Sequence, residues 1–143
     1  MDDDLEAIWR LATKLRGAIE ASPTSSRPIR VREFPNGSCG EASYILGAFL
    51  ADNGIRGFKY QSGKNFTVPN RFYYHAWLER NGLVVDITAD QFEFDYPPVL
   101  ISRSDRWYEE FELDEPGPSD FRELHDGFPE VARYYAVLSS SLT

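Results

Sequence analysis

The dipeptide Asn81-Gly82 constrains this chain more than any other feature. It lies between two runs of alternating polarity, "RFYYHAWLE" (71–79) and "LVVDIT" (83–88). Asn-Gly suits the left-handed positions of a tight turn, so it predicts an antiparallel hairpin with a two-residue loop. In that register Arg80 opposes Leu83, and Trp77 opposes Asp86. His75 shares a face with Trp77, because side chains alternate along a strand, and becomes a diagonal neighbour of Asp86. Diagonal alpha carbons are roughly 7–8 Å apart, a gap these two side chains can close with a hydrogen bond. A four-residue loop keeps the same pairing. A three-residue loop, Arg80 to Gly82, would send His75 and Asp86 to opposite faces. Asp90, four residues beyond Asp86 and nearer a loop, is the alternative acidic partner.

Elsewhere the apolar period is helical. Leu5, Ile8, Trp9, Ala12, Leu15 and Ile19 recur at three- and four-residue steps and predict an amphipathic helix over 3–20. The Pro/Ser run "ASPTSSRP" (21–28) ends it, and "IRVREF" (29–34) reads as a short strand or extended entry. After the turn "PNGS" (35–38), Ala42, Ile45, Leu46, Phe49 and Leu50 place a second helix over 39–53. Ser38 and Glu41 have the spacing of a capping box, which makes Ser38 the N-cap and Cys39 the first helical residue. Asn53-Gly54 is the expected stop. Strands are expected at 55–60 and 97–102, with a polar loop at 61–70 and a last helix around 119–137. Helices followed by an antiparallel sheet and a final helix make an α+β layout.

The chain has 143 residues, 42% of them hydrophobic and 15% aromatic, which suits a single domain over 1–143 with a sizeable core. A net charge of −8 repels phosphate backbones and anionic lipid, so neither nucleic acid nor a membrane surface is expected as partner. No apolar run has the roughly 18 residues of a spanning helix. The acidic start "MDDDLEAIWR" is unlike a secretory signal, and a single cysteine makes no internal disulfide. Together these point to a cytoplasmic protein. No spacing suits zinc, calcium or a phosphate-cradling loop, so no metal and no cofactor is expected.

Cys39 is the only cysteine. A lone cysteine is more often a small packed apolar side chain than a nucleophile. Its expected place on the first turn of a helix argues otherwise, since unpaired N–H groups and the helix dipole favour a thiolate there. The same amides could hold an oxyanion, with Asn36 or a nearby backbone amide as the second donor. Gly37 and Gly40 would let a substrate backbone approach closely. Trp77 and Tyr73 would serve as core or pocket wall. His125 beside Asp126 is a competing pair in the acidic tail, where it reads as solvated helix.

With Cys39, His75 and Asp86 in this order, the segments "GSCGEASYILGAFLADNGI" and "YYHAWLERNGLVVDITADQF" resemble the core of the transglutaminase-like superfamily, over about residues 34 to 92. There a Cys begins a helix, a His begins an "HAW-x-E" strand and an Asp follows on the next strand. His75 lies 36 residues after Cys39, a spacing that suits this family and not papain proper. The resemblance implies a papain-like fold, with N-terminal helices packed on an antiparallel sheet. It implies Cys39 as nucleophile, His75 as general base and acid, and Asp86 as the orienting residue. The expected activity is acyl transfer from an amide, in a protein or peptide substrate, through a thioester to water or an amine. A catalytically inactive scaffold that binds a protein partner is the alternative. An arylamine-acetyltransferase-like reaction uses the same trio, but the chain is short for it.

Overall fold

The computed structural model describes residues 4–142, and within them the chain is an α+β protein. Helix α1 (Leu5–Ala21) buries Ile8, Leu11, Ala12, Leu15 and Ile19 at helical spacing. Trp9, expected on that stripe, lies beside it and is 55% exposed. The expected helix start at Asp3 lies outside the described residues.

Helix α2 (Cys39–Asp52) starts where the sequence places it. Its C-terminus is a Schellman motif: Ile55 N–H donates to the Leu50 carbonyl at 2.9 Å, Gly54 N–H to Ala51 at 3.0 Å, and Gly54 has φ 80°. The capping box does not form. Ser38 Oγ donates to the Arg30 carbonyl at 2.7 Å, and no side chain caps the helix. The preceding segment is not the short strand or extended entry expected at 29–34. Ile29–Val31 form a 3-10 turn that buries Val31, and Phe34 lies partly buried against the same core.

The sheet contains β1 (Lys59–Asn65), β2 (Tyr73–Arg80), β3 (Leu83–Asp86), β4 (Leu100–Ser102), β5 (Glu112–Leu113) and β6 (Gly117–Pro118). All recorded pairings are antiparallel, in the order β4-β3-β2-β1-β5, with β6 also on β1. The β2–β3 hairpin has the two-residue register: Arg80 pairs with Leu83, and Asn81 and Gly82 have φ 50° and 82°. The strand expected at 55–60 and the loop at 61–70 are displaced. Ile55 and Phe58 fill the helix-side core instead, and the polar run 59–65 forms the strand because β2 and β5/β6 satisfy its backbone on both sides.

Alternation divides the sheet's side chains between two cores. Leu78, Leu83, Val85 and Ile87 pack with α1, α2 and helix α4 (Pro129–Leu142). Trp77 and Val84 point the other way, onto Tyr108 of the short helix α3 (Arg106–Glu109) and Phe111. Helix α4 begins ten residues later than expected. Gly127 and Phe128 take positive φ just before it, Pro129 opens it, and the earlier residues Phe121–Glu123 form a separate 3-10 turn. Among the described residues no helix is long and apolar enough to cross a membrane.

Gly47 lets α2 press against the Ser119 carbonyl so closely that a methyl group would overlap it. Alanine is favoured over glycine inside a helix by about 1 kcal/mol. We nevertheless expect Gly47→Ala to lower stability by about 1–3 kcal/mol, as overpacking does. Urea unfolding reads this as a lower midpoint at unchanged slope, and a raised midpoint would mean that the contact is slack.

Candidate active site

The β2–β3 ladder ends at the Leu78–Val85 pair, and His75 and Asp86 lie just beyond it. Freed from the ladder yet still on one face, their side chains meet: His75 Nε2 and Asp86 Oδ2 are 2.6 Å apart, with both residues essentially fully buried. Asp86 is held on both oxygens. The Tyr108 hydroxyl donates to Oδ2 at 2.6 Å, and the Thr88 amide donates to Oδ1 at 2.8 Å. Burial pushes the Asp86 carboxyl up, but His75, Tyr108 and Thr88 outweigh it and hold Asp86 below the usual carboxylate range. Burial likewise opposes a charge on His75. The Asp86 carboxylate prevails, helped by Cys39, and raises the imidazole to about 9.

Aromatic rings keep this pair dry. Phe92 stands edge-on to the imidazole at 4.8 Å between centroids, and Trp77 and Trp107 each lie 5.9 Å away. With Nε2 committed to Asp86, the other ring nitrogen, Nδ1, is buried and lacks a partner of full hydrogen-bond geometry. Cys39 is the other side chain that favours the charged ring, and Nδ1 is the nitrogen that Asp86 leaves open. In the neutral ring a proton on Nε2, held by Asp86, makes Nδ1 the acceptor.

Cys39 is half-buried at the first position of α2. Because Ser38 turns its hydroxyl toward Arg30, the Cys39 and Gly40 amides have no acceptor among the described residues. Gly37 takes φ 68°, and its amide donates to Gln91 Oε1 at 3.1 Å, while Gln91 Nε2 donates to the Thr88 carbonyl at 3.0 Å. Gln91 thereby fastens the turn before Cys39 to the turn after Asp86.

The other sequence candidates occupy varied places. Asn36 is exposed, and its side-chain amide has no hydrogen-bond partner among the described residues. Trp77 is 1% exposed, on the His75 face as the register requires, and there it is a core residue packed on Tyr108 and Phe111. Tyr73 packs near it on Phe92 and Trp107. Asp90, the alternative partner for His75, instead accepts from both terminal nitrogens of the Arg16 guanidinium at 2.7 and 2.8 Å. His125 is exposed and outside the site. Tyr108 and Gln91 were not foreseen. Both lie in stretches with no periodic pattern, and only the tertiary fold brings them to Asp86 and Gly37.

Comparisons with family models, with curated proteins and with solved structures yield no match, so the reading of this site rests on its own geometry.

Two outcomes follow from the buried pair. A His raised in the folded state adds stability that is complete below its unfolded value of 6.5 and is lost as pH rises toward about 9. Unfolding free energy should therefore fall between pH 6.5 and 9, and His75→Gln should remove that slope. Tyr108→Phe takes one donor from a buried carboxylate and should cost about 1.5–3 kcal/mol in urea unfolding. A loss under about 0.5 kcal/mol would mean that the phenol contributes nothing net.

Proposed function

We propose that this chain is a thiol-dependent acyl-transfer enzyme of transglutaminase-like type, with Cys39 as nucleophile, His75 as general base and acid, and Asp86 as the group that orients His75. The observation that carries the reading is the buried imidazole of His75, bound to Asp86 through Nε2 with Nδ1 left open, and its charge favoured by Cys39 on the first turn of a helix. In this reading the layers are papain-like, the thiol coming from a helix and the His–Asp pair from the sheet.

The steps follow from these positions. His75 Nδ1 takes the proton of the Cys39 thiol, and Asp86 stabilises the imidazolium. The sulfur attacks an amide carbon. A C–S bond forms and the carbonyl π pair moves onto oxygen, next to the open amides of the helix start. The C–N bond then breaks, the nitrogen leaves with the proton from His75, and a thioester remains on Cys39. Water or an amine, deprotonated by His75, releases the acyl group and restores the thiol. The net charge of −8 favours a protein or peptide substrate over nucleic acid. A single free thiol suits the reducing cytoplasm.

The test is the rate of Cys39 alkylation by iodoacetamide between pH 5 and 10, in the wild type and in His75→Ala. We expect fast alkylation persisting well below pH 8, slowed at least about tenfold by the substitution, as a thiolate–imidazolium pair requires. A slow profile that rises only above about pH 8.5, identical in both proteins, would sink the enzyme reading and leave a scaffold that binds a partner.

A further inference from the structure

An acyl-transfer site needs a second group to hold the oxyanion, and the groups nearest in sequence are unsuited to it. The Asn36 side chain is exposed, so water competes for its amide. Gln91 already uses both ends of its amide, on Gly37 and Thr88. A different residue remains. Tyr60, on β1, lies on the helix side of the sheet opposite Leu78. Its ring stacks on Tyr44 of α2, with centroids 4.2 Å apart and planes 3° from parallel.

Tyr44 and Gly40 are four residues apart and therefore share one face of α2. A phenol lying flat on Tyr44 can reach Gly40, one turn nearer the helix start. The contact at Gly40 agrees: the Tyr60 hydroxyl oxygen is 3.2 Å from where a Cβ at position 40 would stand. Any larger residue there would crowd the phenol. The hydroxyl has no hydrogen-bond partner among the described residues, although most of the ring is covered. Burial, with Tyr44 and Cys39 close by, pushes this phenol well above its ordinary range, so it stays protonated as a donor. His75 Nδ1 is likewise fully buried and without a hydrogen-bond partner of full geometry.

We infer that the Tyr60 hydroxyl is the second oxyanion donor of the site, acting with the backbone amides at Cys39 and Gly40. The inference rests on the acyl-transfer reading of Cys39. As the sulfur–carbon bond forms and the carbonyl pair moves to oxygen, the phenol O–H donates to that oxygen. The proton stays on Tyr60 throughout, and the hydrogen bond loosens again when the C–N bond breaks and the carbonyl reforms.

Tyr60→Phe keeps the ring and its stacking on Tyr44 and removes only the donor. Two reactions of the same thiol then separate the roles. Alkylation by iodoacetamide passes through no oxyanion, whereas acylation by 4-nitrophenyl acetate does. We expect single-turnover acylation, read as nitrophenolate release and an acetyl mass on Cys39, to fall at least about tenfold and toward the hundredfold typical of one lost oxyanion donor. The iodoacetamide profile should stay within about twofold of wild type, which also reports an intact fold. Acylation unchanged within about twofold overturns the inference. Parallel loss of both reactions also overturns it, because Tyr60 would then act on the thiol or on the fold. Wild-type Cys39 that takes up no acetyl group at all sinks the acyl-transfer reading itself, an outcome distinct because the substitution then has nothing to lower.

Discussion

The contact on which the rest depends is the buried hydrogen bond between His75 and Asp86, 2.6 Å long and closed to solvent. A charge pair in such a place is a poor source of stability: desolvation offsets much of its attraction, and well-packed apolar residues of the same volume would serve as well. Losing one partner is another matter, since the remaining charge is then buried alone at a cost of about 3–5 kcal/mol. The pair is tolerable only because Asp86 is saturated. Tyr108 and Thr88 supply the donors that water would otherwise provide. The aromatic layer of Trp77, Trp107, Phe92 and Phe111 is thus part of the electrostatics. It excludes water, and in a dry site an oriented donor is worth more than the same donor in water.

Positioning reaches well beyond the first contacts. Arg16 on α1 is 6% exposed, binds both oxygens of Asp90 and the carbonyls of Ile87 and Pro98, and stacks over Phe34 at 4.8 Å. One guanidinium therefore fixes the segment after Asp86 and touches the segment before Cys39. Gln91 makes the same link from the other side, through Gly37 and Thr88. Both bridges join the turn that presents the thiol to the turn that presents the carboxylate. The planar fork of arginine suits such a role, because its donors satisfy several acceptors in fixed directions.

What could be read from the sequence follows from how local each cause is. Asn81-Gly82 sets a register within six residues of itself, so the meeting of His75 and Asp86 was legible. So were the α2 start at Cys39, the Gly54 stop and the α+β class. The 59–65 strand was not, because its polar residues are strand only by virtue of partners on both edges. The capping box failed for a similar reason: the Ser38 hydroxyl found the Arg30 carbonyl, an acceptor that exists only once the 3-10 turn at 29–31 has packed. Tyr108 reaches Asp86, and Tyr60 reaches Gly40, across the fold, from segments whose local pattern carries no sign of it.

The failed cap and the site are connected. A serine that capped α2 with its own oxygen would take the Gly40 or Glu41 amide beside the thiol, donors that an oxyanion could use. By turning to Arg30, Ser38 leaves them open, while the loop still gains a buried hydrogen bond that fixes its approach to the helix. Gly40 works in the same direction by keeping a side chain out of the space between α2 and Tyr60. Helix stability alone would favour a capping side chain at 38 and alanine at 40. The departure from both preferences is local, at the one turn where Cys39 meets the sheet. In the acyl-transfer reading, a helix start that gives up intrinsic stability there, while the rest of α2 is almost wholly buried, leaves donors open for an oxyanion.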